Sequence, residues 1–132
     1  MSIHSASVRE YMTRDPLTFT ADMEVMTAMN TLVTRKFSGA PVVDAEGRLV
    51  GMLSEKDCLK VALIAGYEGS PGGIVGEYMN KVIEGVSPDI SLLEVAGKFV
   101  DTPYKRFPVV EGGKLVGQIS RSDVLRAINS FY

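Results

Sequence analysis

Two tetrads of the chain carry residue types that can hold a sugar phosphate: Ser54-Glu55-Lys56-Asp57 and Ser120-Arg121-Ser122-Asp123. A hydroxyl three residues ahead of a carboxylate, where a helix begins, permits two readings. In one, the serine accepts from the backbone N–H three residues on and the aspartate reaches back to the serine N–H, a capping box that contributes about 1 kcal/mol. In the other, the helix start turns its free N–H groups and the positive end of its peptide dipoles toward a phosphate, while the carboxylate accepts ribose hydroxyls. Cap and ligand contact are compatible, so the pair alone leaves both open.

The elements that must position these tetrads recur with them. Val8, Glu10, Tyr11 and Met12 return as Val75, Glu77, Tyr78 and Met79, and the Pro-Val-Val of 41–43 as that of 108–110, always 67 positions on. Past that point the spacing drops to 66, because the Gly-bearing turn DAEGR (44–48) is one residue longer than EGGK (111–114). Such a change is what a hairpin loop tolerates. Each copy reads as a short strand, a helix, a hairpin and a second helix. The first copy has a strand around Leu17–Thr20, then Met26, Met29 and Val33 at helical spacing, matched by Leu93, Ala96 and Val100 in the second. Ser91 and Glu94 form a further capping-box pattern. The hairpin strands are the Val-rich runs GAPVV/LVGMLS and RFPVV/LVGQIS, with Pro41 and Pro108 expected at strand starts or edges. Cys58, Leu59, Ala62 and Leu63 mark one closing helix, and Val124, Leu125 and Ile128 the other. We therefore expect an α/β (α+β) chain of two β-α-β-β-α repeats, 8–65 and 74–130, joined by a linker at 66–73. They would pack as a pseudo-twofold pair around a shared core, because a unit of about 60 residues is marginal alone.

Composition narrows the function. The chain has 132 residues, 45% hydrophobic and 23% charged, with net charge -2. This balance gives no general attraction for nucleic acid. No 18-residue apolar run and no basic-then-apolar leader stand in the sequence, so neither a membrane partner nor export is expected. One cysteine, Cys58, and one histidine, His4, exclude an intramolecular disulfide and leave no zinc cluster. A reducing cytoplasm is the expected setting. Cys58 beside Asp57 reads as a buried side chain rather than a reactive thiol, and the seven methionines read as adaptable core or dimer contacts. Tyr11 and Tyr78 read as anchors for the segments ahead of the first strands.

The ordered recurrence of VREYMTRDP/VGEYMN, of SGAPVVDAEGRLVGMLSEKDCL/RFPVVEGGKLVGQISRSDVL, and of Asp22 and Asp89 resembles a tandem pair of CBS domains, a Bateman module, over about residues 8–130. The resemblance implies adenosine-containing ligands (AMP, ADP, ATP, NAD-type nucleotides or S-adenosylmethionine) held between paired domains, no required cofactor or metal, and assembly of modules into a homodimer. It places Ser54, Asp57, Ser120 and Asp123 on phosphate and ribose, with serine in both copies where threonine is commoner. It places adenine between the first strand of a repeat and the residues at its proline: Thr18, Phe19, Ala40 and Pro41 in one copy, Gly85, Val86, Phe107 and Pro108 in the other. Ala40 presents less ring contact than Phe107, so the two sites should differ in affinity. Core packing is the competing account of Phe107. Among Lys36, Lys56, Lys105, Arg106 and Arg121, all near these elements, Arg106 and Arg121 are the preferred phosphate partners, because a guanidinium holds phosphate oxygens bidentately.

Three functions compete. The first is a regulatory module that senses an adenine nucleotide and signals to an effector protein outside this chain. The second is a dimerisation scaffold whose serines and aspartates only cap helices. The third is an enzyme, disfavoured because no histidine neighbours a motif serine or cysteine and His4 lies in an N-terminus expected to be mobile.

Overall fold

The computed structural model describes residues 2–69, 72–81 and 83–132, without the side chains of Tyr67 and Glu68. Among the described residues six helices and five strands follow in chain order: α1 (Val8–Tyr11), β1 (Phe19–Thr20), α2 (Val25–Arg35), β2 (Gly39–Val43), β3 (Leu49–Ser54), α3 (Glu55–Glu68), α4 (Val75–Tyr78), α5 (Leu92–Asp101), β4 (Arg106–Glu111), β5 (Lys114–Ser120) and α6 (Arg121–Ser130). A 3-10 turn, Ile3–Ser5, precedes them. The mixed α/β class and the order strand, helix, hairpin, helix follow the sequence pattern. The second repeat's first strand is reduced to one parallel bridge, Val86 to Val109. The first part of the expected linker is helical, because α3 runs on to Glu68 and ends at Gly69, whose φ of 89° suits a left-handed cap. Ser70 and Pro71 lie outside the described residues.

Two compact units form, and neither is a contiguous repeat. One contains residues 1–16 and 84–132, the other 17–83. Each unit therefore takes its hairpin and two long helices from one repeat and a short arm from the other. In the first unit, Val8 and Arg9 donate to the carbonyls of Ile90 and Pro88, and Thr13 exchanges both backbone bonds with Gln118 on β5. In the second unit, Val75 and Gly76 donate to Met23 and Ala21, and Asn80 exchanges both bonds with Met52 on β3. The arms thus add to the free edges of β5 and β3 and satisfy groups that an exposed edge would leave open.

The arms also explain why a Tyr-Met pair and a strand glycine recur together. A side chain at Gly117 would bring its Cβ to 2.7 Å from the Thr13 carbonyl oxygen and 2.8 Å from Met12 Sδ. At Gly51 it would meet Met79 Sδ at 2.6 Å. At Gly117 the blocking atom is backbone, so only a residue without Cβ lets that arm lie this close, whereas at Gly51 it is the end of a flexible side chain.

The expected mobile N-terminus is instead packed. Ile3, Ala6, Val8 and Met12 are buried in a cluster with Leu92, Val95, Phe99, Phe107, Val109, Ile119 and Val124. Their apolar surface has nowhere better to go, and the Ala6 carbonyl accepts from the Leu92 N–H. The second unit has its own cluster, with Phe19, Ala28, Leu32, Val42, Leu53 and Val75 among its buried members.

Each hairpin is bulged at matched places, between Val42 and Val43 and between Val109 and Val110. Gly112 and Gly113, with φ of 60° and 81°, close the second hairpin as a two-residue turn between Glu111 and Lys114. In the longer first turn Asp44 Oδ1 accepts from the N–H groups of Glu46 and Arg48. Pro41 and Pro108 lie inside β2 and β4 rather than at their first residues. Their missing donors are tolerated because pairing with the preceding strand begins one residue later, at Val42 and Val109.

Candidate functional site

Both tetrads fall where a hairpin's last strand becomes a helix, Ser54 and Ser120 being the N-caps of α3 and α6. The two capping boxes are complete. Ser54 Oγ accepts from the Asp57 N–H at 3.1 Å, and Asp57 Oδ2 accepts from the Ser54 N–H at 2.9 Å. Ser120 and Asp123 repeat these contacts at 3.1 and 2.9 Å. The first helical N–H is also occupied, Glu55 donating to the Ser38 carbonyl and Arg121 to that of Lys105. At Ser91 only half of the expected box forms: its hydroxyl accepts from the Glu94 N–H at 3.0 Å, and among the described residues no return bond from Glu94 accompanies it.

Each carboxylate is nevertheless divided in its duties. Oδ2 is committed to the cap, while Oδ1 meets a cation one helical turn on: Lys60 at 3.2 Å from Asp57, and Arg126 on Asp123. The carboxylates are well covered, at 10% and 11% side-chain exposure, but the cations are 58% and 71% exposed. An exposed ion pair of this kind is worth at most about 1 kcal/mol. Lys60 and Arg126 can therefore swing out and release Oδ1 to a hydroxyl donor. The sequence reading missed both, although their i,i+3 spacing from the aspartates is visible in it.

The positions assigned to adenine are brought beside these caps within each unit. In the first unit Val86 bridges β4 at Val109, and Phe107, Pro108 and Ser120 lie on the paired strands β4 and β5. In the second, Phe19 pairs with Val42, and Ala40 and Pro41 lie opposite Leu53 and Met52. Most of their side chains point into protein: Phe19, Ala40, Val86 and Phe107 are all buried. Phe107 packs on Phe99 with ring centroids 4.6 Å apart and meets Tyr104 edge-on at 5.7 Å. Its ring thus serves the core, and a base at this place would meet its backbone. Gly85 is exposed and Thr18 half-buried.

The cations differ in what their neighbourhoods offer. Lys36 is exposed and ends α2 in the left-handed region, φ 59°, its N–H bonded to the Leu32 and Val33 carbonyls. Lys56 and Lys105 are exposed. Arg121, also exposed, reaches the Thr102 carbonyl at 3.5 Å, a weak contact. Arg106, opposite Ser120 on the neighbouring strand, is half-buried, and its Nε is covered with no partner among the described residues. A buried donor left unpaired is costly, so this side chain is suited to receive an acceptor.

Cys58 is buried, and its thiol is held above the usual range by burial first and then by the charges of Asp57 and Glu55. The neutral thiol is a poor nucleophile. Native protein is expected to react with iodoacetamide at neutral pH far more slowly than urea-unfolded protein, and equal rates would refute the assignment. No three His, Cys, Asp or Glu side chains among the described residues are grouped to hold a metal ion. No helix among them is long and apolar enough to cross a membrane.

Comparison with known proteins identifies the family and the fold. The chain is 36% identical over 121 residues to the zinc metalloprotease MJ0392 of Methanocaldococcus jannaschii, covering 92% of this chain and 32% of that protein. It spans only 43% and 14% of two other curated relatives, MJ1225 of the same organism and the A-adding tRNA nucleotidyltransferase of Aquifex aeolicus. Among solved structures, CBSX2 of Arabidopsis thaliana in complex with AMP superposes with a TM-score of 0.83 at 28% identity, over 95% of this chain and 97% of that one. CbpB in complex with c-di-AMP superposes with a TM-score of 0.82 at 25% identity, over 97% and 87%. The model of the CBS domain matches twice, at residues 8–64 and 75–130, and the chain belongs to the CBS domain family as a tandem pair.

Proposed function

We propose that this chain is a regulatory, non-catalytic module that binds an adenosine-containing nucleotide at the helix starts of α3 and α6 and signals to an effector protein. The observation that carries the reading is the divided carboxylate: Asp57 and Asp123 each keep one oxygen in the cap and offer the other behind an exposed, displaceable cation. A ribose would take Oδ1, with its phosphate toward the serine and the helix start. The AMP complex of the relative CBSX2 and the c-di-AMP complex of CbpB support the ligand class. Arg106 and Arg121 favour the first unit for a charged phosphate, since β2 has Gly39 in the place of Arg106. A bound ligand would act by stabilising one conformation over another, limited by its difference in affinity for the two.

A homodimer is part of the proposal. Val33 and Leu59 in one unit, and their repeat partners Val100 and Leu125 in the other, are between 65% and 84% exposed on α2, α3, α5 and α6. Matched apolar positions on both pairs of long helices favour a second copy as their cover. Val100→Lys combined with Leu125→Lys is expected to lower the sedimentation coefficient from dimer to monomer without loss of helical circular dichroism. A wild-type chain that sediments as a monomer would refute it. We place the protein in the cytoplasm, with no nucleic acid or membrane among its partners.

The scaffold reading is favoured by one observation, the completeness of the capping boxes, which account for Ser54, Asp57, Ser120 and Asp123 without a ligand. Asp→Ala variants separate the two readings: a scaffold loses only stability, a sensor loses ligand as well.

A further inference from the structure

The two hairpins are alike at most positions, and one of their differences buries a polar atom without a partner. Gln118 stands opposite Pro108 on β5, as Met52 stands opposite Pro41 on β3. Each exchanges backbone bonds with an arm, Gln118 with Thr13 in one unit and Met52 with Asn80 in the other. Methionine needs no hydrogen bond in such a place. Gln118 does, yet its Oε1 is buried with no partner among the described residues. Burying an amide oxygen unsatisfied is destabilising, and an apolar residue at the same register avoids it.

Strand geometry says which face of the sheet carries this side chain. Side chains two residues apart share a face of a strand, so Gln118 lies on the same face of β5 as Ser120, about 6.8 Å along the strand at 3.4 Å per residue. Arg106, opposite Ser120, also shares that face. A nucleotide whose sugar phosphate sits at Ser120 and Asp123 would extend its base inward along this face. In the orientation seen, with Oε1 turned inward, Gln118 presents an acceptor and the group that meets it is a donor; an amide turned to present Nε2 would erase the selection. Among purines, adenine carries an exocyclic amine, a donor, where hypoxanthine and guanine carry a carbonyl, an acceptor.

We propose that Gln118 selects the base at the first unit's site by accepting a hydrogen bond from the exocyclic amine of a 6-aminopurine, while Met52 leaves the second unit's site without that selection. This rests on the nucleotide reading of Asp123 and adds the choice of base to it.

The test compares AMP with IMP, which differ at that group, by calorimetric titration of nucleotide-free wild type, Gln118→Met, which copies the second unit, and Asp123→Ala. Wild type should prefer AMP over IMP by about tenfold or more, since a buried polar group left unpaired penalises the wrong ligand. Gln118→Met should bring the two affinities within about twofold, mainly by weakening AMP. Its melting temperature without ligand should equal or exceed that of wild type, which shows that the fold survives. Asp123→Ala should weaken AMP and IMP alike. Equal binding of AMP and IMP by wild type, or an unchanged AMP/IMP ratio in Gln118→Met, overturns the role of Gln118 while leaving the nucleotide site standing. No binding of either by wild type overturns both together.

Discussion

Asp123→Ala is expected to weaken AMP binding by about tenfold to a hundredfold and to lower stability by about 1 kcal/mol. The two effects come from different oxygens. Oδ2 bonds the Ser120 N–H at 2.9 Å, and its loss removes half of the capping box. Oδ1, covered by the exposed Arg126, is the acceptor a ribose would use, and a hydrogen bond to a charged group contributes about 1.5–3 kcal/mol. A conservative Asp123→Asn change keeps an oxygen for the cap and removes the charge, so it should recover most of the stability and only part of the affinity. Calorimetric titration with AMP, alongside urea unfolding of the ligand-free variants, measures both quantities. Loss of stability with unchanged affinity would leave the tetrad as a cap alone.

The second large effect is structural. Gly117→Ala places a methyl 2.7 Å from the Thr13 carbonyl oxygen, a backbone atom that can move only if the arm moves. Gly51→Ala has a similar first distance, 2.6 Å, but to Met79 Sδ, part of a flexible side chain, and its nearest backbone oxygen is at 3.1 Å. Gly117→Ala should therefore cost about 1–3 kcal/mol, the range for overpacking, and Gly51→Ala less. The arm at 1–16 should also become the first site of limited proteolysis in Gly117→Ala. Arg9 opposes its release, since its guanidinium pairs with Asp89 at 3.1 Å and Glu111 at 2.6 Å. The second arm has Gly76 at the matched position. Equal unfolding midpoints for Gly117→Ala and Gly51→Ala would show that the close approach of the first arm contributes nothing.

Much of this architecture was legible because the repeat writes each element twice. The hairpins followed from Pro-Val-Val and the Gly-bearing turns, and the caps from Ser-x-x-Asp, since both are local patterns with local causes. The ownership of the arms was not legible. Val8–Thr13 open the first repeat in sequence, yet their backbone partners Pro88, Ile90 and Gln118 lie some 80 to 105 residues on, in the second repeat, and no local propensity encodes such a pairing. The N-terminus looked mobile for the same reason: Ile3 and Ala6 carry no periodic pattern, and their burial depends on α5. At the site, the serines and aspartates were visible, but the direction of Phe107 was not. Alternation along β4 allows its ring to face either core or ligand, and Phe99 and Tyr104 decide for the core. Gln118 escaped notice because a polar residue in a strand reads as solvated until its burial is known.

The central claim, that the helix starts bind an adenosine nucleotide, is tested most directly by thermal unfolding of nucleotide-stripped protein against increasing AMP. Binding to the folded chain alone should stabilise it by about 2.7 kcal/mol at one hundred times the dissociation constant. The account predicts a midpoint that climbs with AMP concentration in wild type and much less in Asp123→Ala. A midpoint unmoved by AMP, and equally by ATP, S-adenosylmethionine and c-di-AMP, would contradict it and leave Ser54 and Ser120 as helix caps.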